Sequence, residues 1–299
     1  MSGFRNLRAW AGAEDLGQFH ITSFRKAVSS AATTTSAWID YSYFPGSPVA
    51  NFYASSPLEA AELETSRGIY VPTVAPKTQW LRNLKLMSAA SAATSTTNGR
   101  QQIVLADILL YYPFVDTDAV GEQQDMTNTV PIPRYTSGRV IAVGQSASST
   151  LGQFTFSYTN QDGVAGRTSQ PHFTFVVAGG GQVVASSVQS AASYHPYLAL
   201  QAGDSGVKSI ESVTFTAGGG GLMALVIVQP LLECFVTQES RRTTSGNLET
   251  YGACNEFASV IHHRPRQIKD GAVINLFAAG HAGSLASSIL AGVLETTWN

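Results

Sequence analysis

The sequence is poor in charged side chains. Asp, Glu, Lys and Arg make up 13% of the 299 residues, which is about half of the share usual in soluble domains. Hydrophobic residues make up 44%, and Ser, Thr, Gly and Ala fill much of the remainder. Small polar side chains lose little conformational entropy when a neighbour covers them. The composition therefore favours a surface that forms permanent contacts.

Three other features are missing. With a net charge of −2 and a pI of about 6.3, the chain has no basic stripe to neutralise a phosphate backbone. The longest apolar run, residues 221–236, is too short and too interrupted by Gln229 and Pro230 to span a bilayer. The N-terminal segment has basic residues but no apolar signal region after them. We predict no direct nucleic-acid binding, no membrane span and no export signal.

Cysteine is almost absent. Cys234 and Cys254 lack the spacing of a metal finger and are too few for a disulfide framework. We therefore expect two reduced, packed thiols in a protein that folds in a reducing cytoplasm.

The first 100 residues predict an arm followed by a hairpin. Residues 1–35 combine a helix-compatible stretch at 6–26 with small side chains at 29–36 that have no strong period. The aromatic and β-branched segments 37–44 and 49–53 flank Pro45-Gly-Ser-Pro48, which is typical of strand, turn and strand. We interpret residues 1–35 as an extended arm that neighbouring subunits order.

Two segments have apolar residues at helical spacing. In residues 78–93 a helix is predicted from Leu81, Leu84, Met87 and Ala90, with Thr78 as its cap and Asn98-Gly99 as its stop. A second helix is predicted in residues 281–294, where Leu285, Ile289 and Val293 would share one side. Both would be short elements in a β-rich chain.

From residue 101 the sequence predicts strands. Residues 101–112 are apolar on both faces, as in a strand in the middle of a covered sheet, and their one acid, Asp107, requires a partner. Further strands are predicted at residues 139–144, 152–158, 172–177, 212–216 and 222–228. Such intervals predict a mainly β chain: a jelly-roll-like antiparallel β-sandwich with an extended N-terminal arm and a few short helices.

The resulting organisation has three parts. They are the arm at residues 1–35, the hairpin and helix at 36–100, and the β-sandwich with a C-terminal contact segment at 101–299. Residues 36–100 form either a separate unit or strands that complete the later sheet.

Three segments repeat one strand-and-turn pattern, starting at Phe154, Phe173 and Val213. Aromatic side chains alternate with threonines, and the glycines that follow allow tight reversals. The glycine runs lack the Lys-Ser/Thr ending of a phosphate loop and precede no convincing helix. They predict structural turns and not a nucleotide site.

The Gly203-Asp-Ser-Gly206 segment matches the start of the nucleophile signature of chymotrypsin-like proteases. Val207 stands where that family has another glycine, and His20, His172 and His195 lie in unrelated contexts. An ordinary turn accounts for these four residues. We therefore predict no enzyme activity, no catalytic residues and no cofactor.

The acidic segment 116–125 is a candidate structural cation site. Its oxygen ligands would come from Asp116, Asp118, Glu122 and Asp125, but their spacing does not match the helix-loop-helix calcium pattern. The alternative is a solvated loop packed against Arg134 or Arg139. We leave this alternative open and assign no metal ligand.

Two further groups of side chains indicate contact surfaces. His262 and His263 alternate in an extended segment, so with Arg264 and Arg266 they predict a docking patch for an acidic neighbour and not a metal site. A set of aromatics favours core or interface packing, with sugar stacking as the alternative: Trp38, Tyr41, Tyr43, Phe44, Phe52 and Tyr53.

Residues 38–54, 111–135 and 157–167 resemble segments of virion structural proteins from tailed bacteriophages. The resemblance covers most of the chain and implies a location in the virion after synthesis in the host cytoplasm. It supplies no catalytic residues. It implies a homo-oligomer that contacts the major capsid protein or other virion proteins.

Within that setting, the favoured function is a capsid decoration or cement protein that stabilises the shell through subunit contacts. A tail, collar or fibre-base component is the first alternative, and a glycan- or receptor-binding module is the second. Residues 1–35 and the segment after 237 are the predicted contact regions.

Overall fold

The computed structural model describes residues 4, 7–28, 37–90, 101–177, 179–186, 195–236, 238–244, 247–257, 266–280, 285 and 288–299. The chain is 52% strand and 4% helix. All pairings between its strands are antiparallel. The predicted mainly β, sandwich-like class is confirmed.

One short helix, α1 (Leu7–Ala11), and two 3-10 turns, Tyr41–Tyr43 and Thr65–Arg67, accompany the strands. In chain order the strands are β1 (Phe19–Ala27), β2 (Trp38–Asp40), β3 (Gly46–Ser47), β4 (Gln79–Ala90), β5 (Gln101–Asp116), β6 (Gln123–Asp125), β7 (Arg139–Gly144), β8 (Gln153–Asn160), β9 (Arg167–Thr168), β10 (His172–Thr174), β11 (Ala185–Ser186), β12 (Val207–Ala217), β13 (Leu222–Val236), β14 (Gln238–Thr244), β15 (Asn247–Phe257), β16 (Gln267–Ile268), β17 (Ile274–Gly280) and β18 (Ile289–Trp298).

The described strands form three sheets. A seven-stranded sheet has the order β14-β15-β4-β18-β1-β3, with β16 also paired to β4. A six-stranded sheet has the order β11-β10-β8-β12-β6, with β9 paired to β8, and a five-stranded sheet has the order β2-β17-β5-β13-β7.

The five-stranded sheet is central to the core because its strand β5 contributes to three hydrophobic clusters. Ile103 and Leu105 pack with side chains of the seven-stranded sheet. Leu109 and Tyr112 pack with side chains of the six-stranded sheet. Val104 joins a third cluster on the opposite face. The prediction that residues 101–112 form a strand covered on both sides is confirmed.

Asp107 lies on this central strand and has the partner that the sequence required. The Arg134 guanidinium donates to both of its carboxylate oxygens, from Nε at 2.8 Å and from Nη2 at 2.7 Å. The backbone N–H of Val273 donates a third bond at 2.8 Å. Asp107 is fully buried, so this pairing compensates for the loss of its hydration.

The three repeated strand-and-turn segments come together in the six-stranded sheet. They correspond to β8, β10 and β12, and β8 lies between the other two. Phe154 and Phe215 pack with ring centroids 5.0 Å apart. The repeat is therefore a packing motif.

The helix predicted in residues 78–93 is wrong, because residues 79–90 form strand β4. The register between β4 and β18 shifts so that Leu81 faces Thr296 while Asn83 faces Glu295. Arg82 is the extra residue of this bulge. A bulge places residues on both sides of it on the same face, so buried Leu81 and Leu84 imitate helical spacing.

The helix predicted in residues 281–294 is also wrong from residue 289 onward, where β18 begins. Residues four apart share a face in a helix and also in a strand, so the spacing of Ile289 and Val293 did not distinguish the two. Leu290 and Leu294 are the buried hydrophobic residues of this strand. Residues 281–284, 286 and 287 lie outside the described residues.

Two predictions for the N-terminal part need correction. Residues 19–27 form strand β1 between β18 and β3, so this part of the predicted arm belongs to a sheet. Residues 37–44 and 49–53 do not form a hairpin, because β2 pairs with β17 and residues 49–53 are not a strand. Removing residues 1–30 would therefore delete strand β1, which lies between β18 and β3. Residues 29–36 lie outside the described residues.

Candidate contact surface

The outer face of the seven-stranded sheet is formed by three neighbouring strands. Strand register places Ser23, Val293 and Lys85 in one row. The next row contains Arg25, Ala291 and Met87. Side chains of alternate residues point away from the core, whereas Phe24 and Leu294 point into it. We call the set Ile21, Ser23, Arg25, Lys85, Met87, Ile289, Ala291 and Val293 the outer face.

This outer face exposes apolar surface beside two cationic side chains, Arg25 and Lys85. Ile21 is 52% exposed and Met87 is 51% exposed, and Ile289, Ala291 and Val293 are partly exposed. The Lys85 ammonium pairs with Glu295 at 2.6 Å, which neutralises one of the charges locally. The solvent-facing side of an antiparallel sheet usually carries polar side chains. The apolar side chains of the outer face are therefore suited to being covered by another surface.

The two ends of the seven-stranded sheet differ. Strand β3 has only two residues and lies between Pro45 and Pro48, and short strands with flanking prolines protect an edge from pairing. Strand β14 has seven residues and ends the sheet on the other side among the described strands. An open strand edge is a template for a strand from another chain.

Comparison with known proteins assigns no family. No family model matches the chain, and neither a curated protein nor a solved structure matches it significantly. The geometry of its surfaces therefore carries the functional argument.

The protease-like segment forms a structural turn. Asp204 accepts hydrogen bonds from Tyr158 Oη at 2.6 Å, Asn160 Nδ2 at 2.8 Å and Arg167 Nε at 3.0 Å. The Arg167 bond, then those from Tyr158 and Asn160, lowers the pKa of Asp204 to about 2. His195 lines the same groove as Ser205, but Asp204 is occupied by these donors and does not serve to orient an imidazole.

The Ser205→Ala variant tests this interpretation. Ser205 contributes its backbone N–H to Gln161 Oε1 at 3.0 Å, which alanine retains. We expect the free energy of unfolding to stay within about 0.5 kcal/mol of wild type. Any ester or peptide hydrolysis by the purified protein should be equal in both proteins. Hydrolysis that disappears in Ser205→Ala would establish the serine as a nucleophile.

The acidic segment does not gather its carboxylates. Among the described residues no group of three or more His, Cys, Asp or Glu side chains is arranged to hold a metal ion. Asp118 Oδ1 accepts from the Gly220 N–H at 2.8 Å, and Asp116 Oδ1 accepts from the Asp118 N–H at 2.8 Å. Arg134, one of the two arginines proposed to pack against this segment, pairs instead with Asp107 and with Glu62.

The aromatics for which sugar stacking was the alternative are mostly inside the protein. Trp38, Tyr41 and Tyr53 are at most 1% exposed. Tyr43 is partly buried and donates to the Gln145 carbonyl at 3.3 Å, while Phe52 is 54% exposed. Packing is therefore the role of most of this set, and Trp38 is excluded as a sugar platform.

The remaining predicted features are placed only in part. His262, His263 and Arg264 lie outside the described residues, and Arg266 is exposed. Cys234 is buried, and the side chain of Cys254 lies outside the described set. No helix in the described ranges is long and apolar enough to cross a membrane.

The sequence reasoning missed the outer face. Ile21, Ser23 and Arg25 alternate with Thr22, Phe24 and Lys26, which is a period of two within the stretch that we interpreted as helix-compatible. That alternation was the available signal. The pairing with Met87 and Ala291 depends on contacts far apart in sequence.

Proposed function

We propose that this chain is a non-enzymatic structural subunit of a tailed-phage virion, and specifically a capsid decoration or cement protein. The observation that carries the proposal is the outer face, where side chains such as Ile21 and Met87 expose apolar surface. Contiguous exposed apolar surface marks sites of protein contact. The occupant we assign is a second copy of this chain in the assembled particle.

The mechanism is mass action. A subunit that binds only the assembled shell stabilises the shell by the free energy of its contacts. Repeated copies add many interfaces of ordinary size, so that modest contacts become strong together. No reacting group is needed for this function.

A second contact is proposed at the β14 edge. This strand begins directly after residue 237, where the sequence predicted a C-terminal contact segment. Among the described strands its outer backbone edge is unpaired, and such an edge suits strand addition by a neighbouring subunit. Residues 19–27 belong to the chain's own sheet through pairing with β18, so their proposed contact is made by outer-face side chains and not by a free arm.

A charge placed on the outer face tests the proposal. In Met87→Glu a carboxylate would have to lose its hydration at the subunit contact. We expect self-association of the full chain to weaken by about tenfold or more, as measured by sedimentation velocity over a concentration series. The same result is expected for Ile21→Glu.

Val164→Glu is the matched control. Val164 is 52% exposed, which equals the exposure of Ile21, but it lies in the turn after β8. Its replacement should leave self-association unchanged. A wild-type chain that stays monomeric throughout the series, or equal weakening by all three variants, would contradict the assignment of the outer face.

A further inference from the structure

A groove of about 580 Å³ opens beside strand β13. Strand β7 pairs with β13 only up to the pair of Arg139 with Val228, whereas β5 continues along the other side of β13 to Val236. The part of β13 that begins at Gln229 therefore has no β7 residue beside it. Residues 195–200 line the groove as well, and they are held there by the Leu198 N–H, which donates to the Val140 carbonyl at 2.8 Å.

The groove contains an aromatic pair. The rings of His195 and Tyr197 stack with centroids 5.6 Å apart and planes inclined by 23°. Burial raises the pKa of Tyr197, the nearby Glu233 raises it further, and Arg139 opposes the rise. Tyr197 thus lies within electrostatic range of the Glu233 carboxylate and the Arg139 guanidinium. Aromatic faces beside polar groups suit ligands that have both apolar and hydroxyl-bearing sides.

Two guanidinium groups line the groove together with the carboxylates of Asp204 and Glu233. The Asp204 carboxylate is paired with Arg167 at 3.0 Å. Arg139 and Arg266 both line it and are both exposed. Among the described residues neither has a carboxylate within ion-pair distance. Glu233, by contrast, accepts a bond from Gln102 Nε2 at 2.5 Å. Arginine is well suited to bind a carboxylate through two parallel hydrogen bonds.

We propose that this groove binds an acidic saccharide. The carboxylate of a uronic-acid type sugar would face Arg139 and Arg266, its C–H face would lie on Tyr197 and His195, and its hydroxyls would reach the Gln229 amide and the Glu233 carboxylate. The volume is within the range of about 300–1,000 Å³ that is usual for small-ligand sites. This function adds glycan binding to the proposed structural subunit and does not depend on it.

Binding of an oligogalacturonate to the full chain, measured by isothermal titration calorimetry, tests the proposal. We expect saturable binding, and no comparable binding of a neutral galactan oligosaccharide. Arg139→Gln and Arg266→Gln should each weaken the affinity about tenfold or more, because each removes a charge-assisted hydrogen bond. Arg8→Gln is the control, since Arg8 is exposed on α1 outside the groove.

The outcomes separate clearly. Equal affinity for the acidic and the neutral oligosaccharide, or affinity that survives both groove substitutions, would overturn the proposal. Competition by inorganic phosphate at the same concentration as the saccharide would also overturn it, because the groove would then be a general anion site. Circular dichroism of each variant confirms that a lost affinity does not reflect unfolding.

Discussion

Replacing Arg134 by methionine should lower the free energy of unfolding by about 3–5 kcal/mol. Asp107 is fully buried, and Arg134 supplies two of the three hydrogen bonds to its carboxylate. Arg134 also donates to the Ile108 carbonyl at 2.8 Å. Without the guanidinium, Asp107 is left as an unpaired acid in the middle of the central sheet. Urea unfolding at pH 7 measures the loss.

Two comparisons make this prediction specific. Arg139→Met removes an exposed arginine, so its cost should be within about 0.5 kcal/mol. Adding Asp107→Leu to Arg134→Met should recover much of the lost stability, because both members of a buried pair are then replaced by apolar groups. A cost below about 1 kcal/mol for Arg134→Met would show that Asp107 does not need its partner.

Acidification should destabilise the protein through His172 by about 3 kcal/mol between pH 7 and pH 4. The imidazole is fully buried and stacks on Phe156 at 5.6 Å, and burial lowers its pKa from 6.5 to about 4. The unfolded chain binds a proton at this group when the pH falls below about 6.5, whereas the folded chain binds it only near 4. The destabilisation through His172 is therefore absent above about pH 6.5 and grows as the pH falls from there to about 4.

The difference in the free energy of unfolding between wild type and His172→Phe, followed as a function of pH, isolates the effect of His172. Carboxylates titrate in both proteins, so their contribution cancels in the comparison. The free energy of unfolding of wild type should fall more steeply with acid than that of His172→Phe. If phenylalanine is too large for the site, His172→Leu takes its place in the comparison, with the same expected result. Urea unfolding at several pH values gives the two slopes. Parallel slopes would mean that the histidine binds its proton at the same pH in the folded and the unfolded chain, which would contradict the prediction.

The strands after residue 100 could be predicted because burial of both faces of a strand leaves a continuous apolar run, as in residues 101–112. The need of Asp107 for a partner followed from its position in that run. The identity of the partner did not, because Arg134 reaches it only through the fold. The bulge at Arg82 and the spacing of Ile289 and Val293 each gave a helical appearance to a strand.

The candidate sites were harder to predict than the fold class. The aromatics at Trp38 and Tyr53 look alike in sequence whether they are buried or exposed. Long-range contacts decide which, since β2 pairs with β17 and Tyr53 packs against Tyr111. The groove at Arg139 and Tyr197 exists because β7 pairs with β13 over a limited length. Such register is set by contacts across the whole chain, so no local pattern announces it.

The most direct test of the central claim is a cryo-electron microscopy map of purified particles that contain this chain. The account predicts density for the chain in repeated copies on the assembled shell, with the outer face of the seven-stranded sheet covered by another copy. Density confined to the tail or collar would replace the decoration role with the tail alternative. Absence of the chain from particles, together with a solitary monomer in the soluble fraction, would contradict the account.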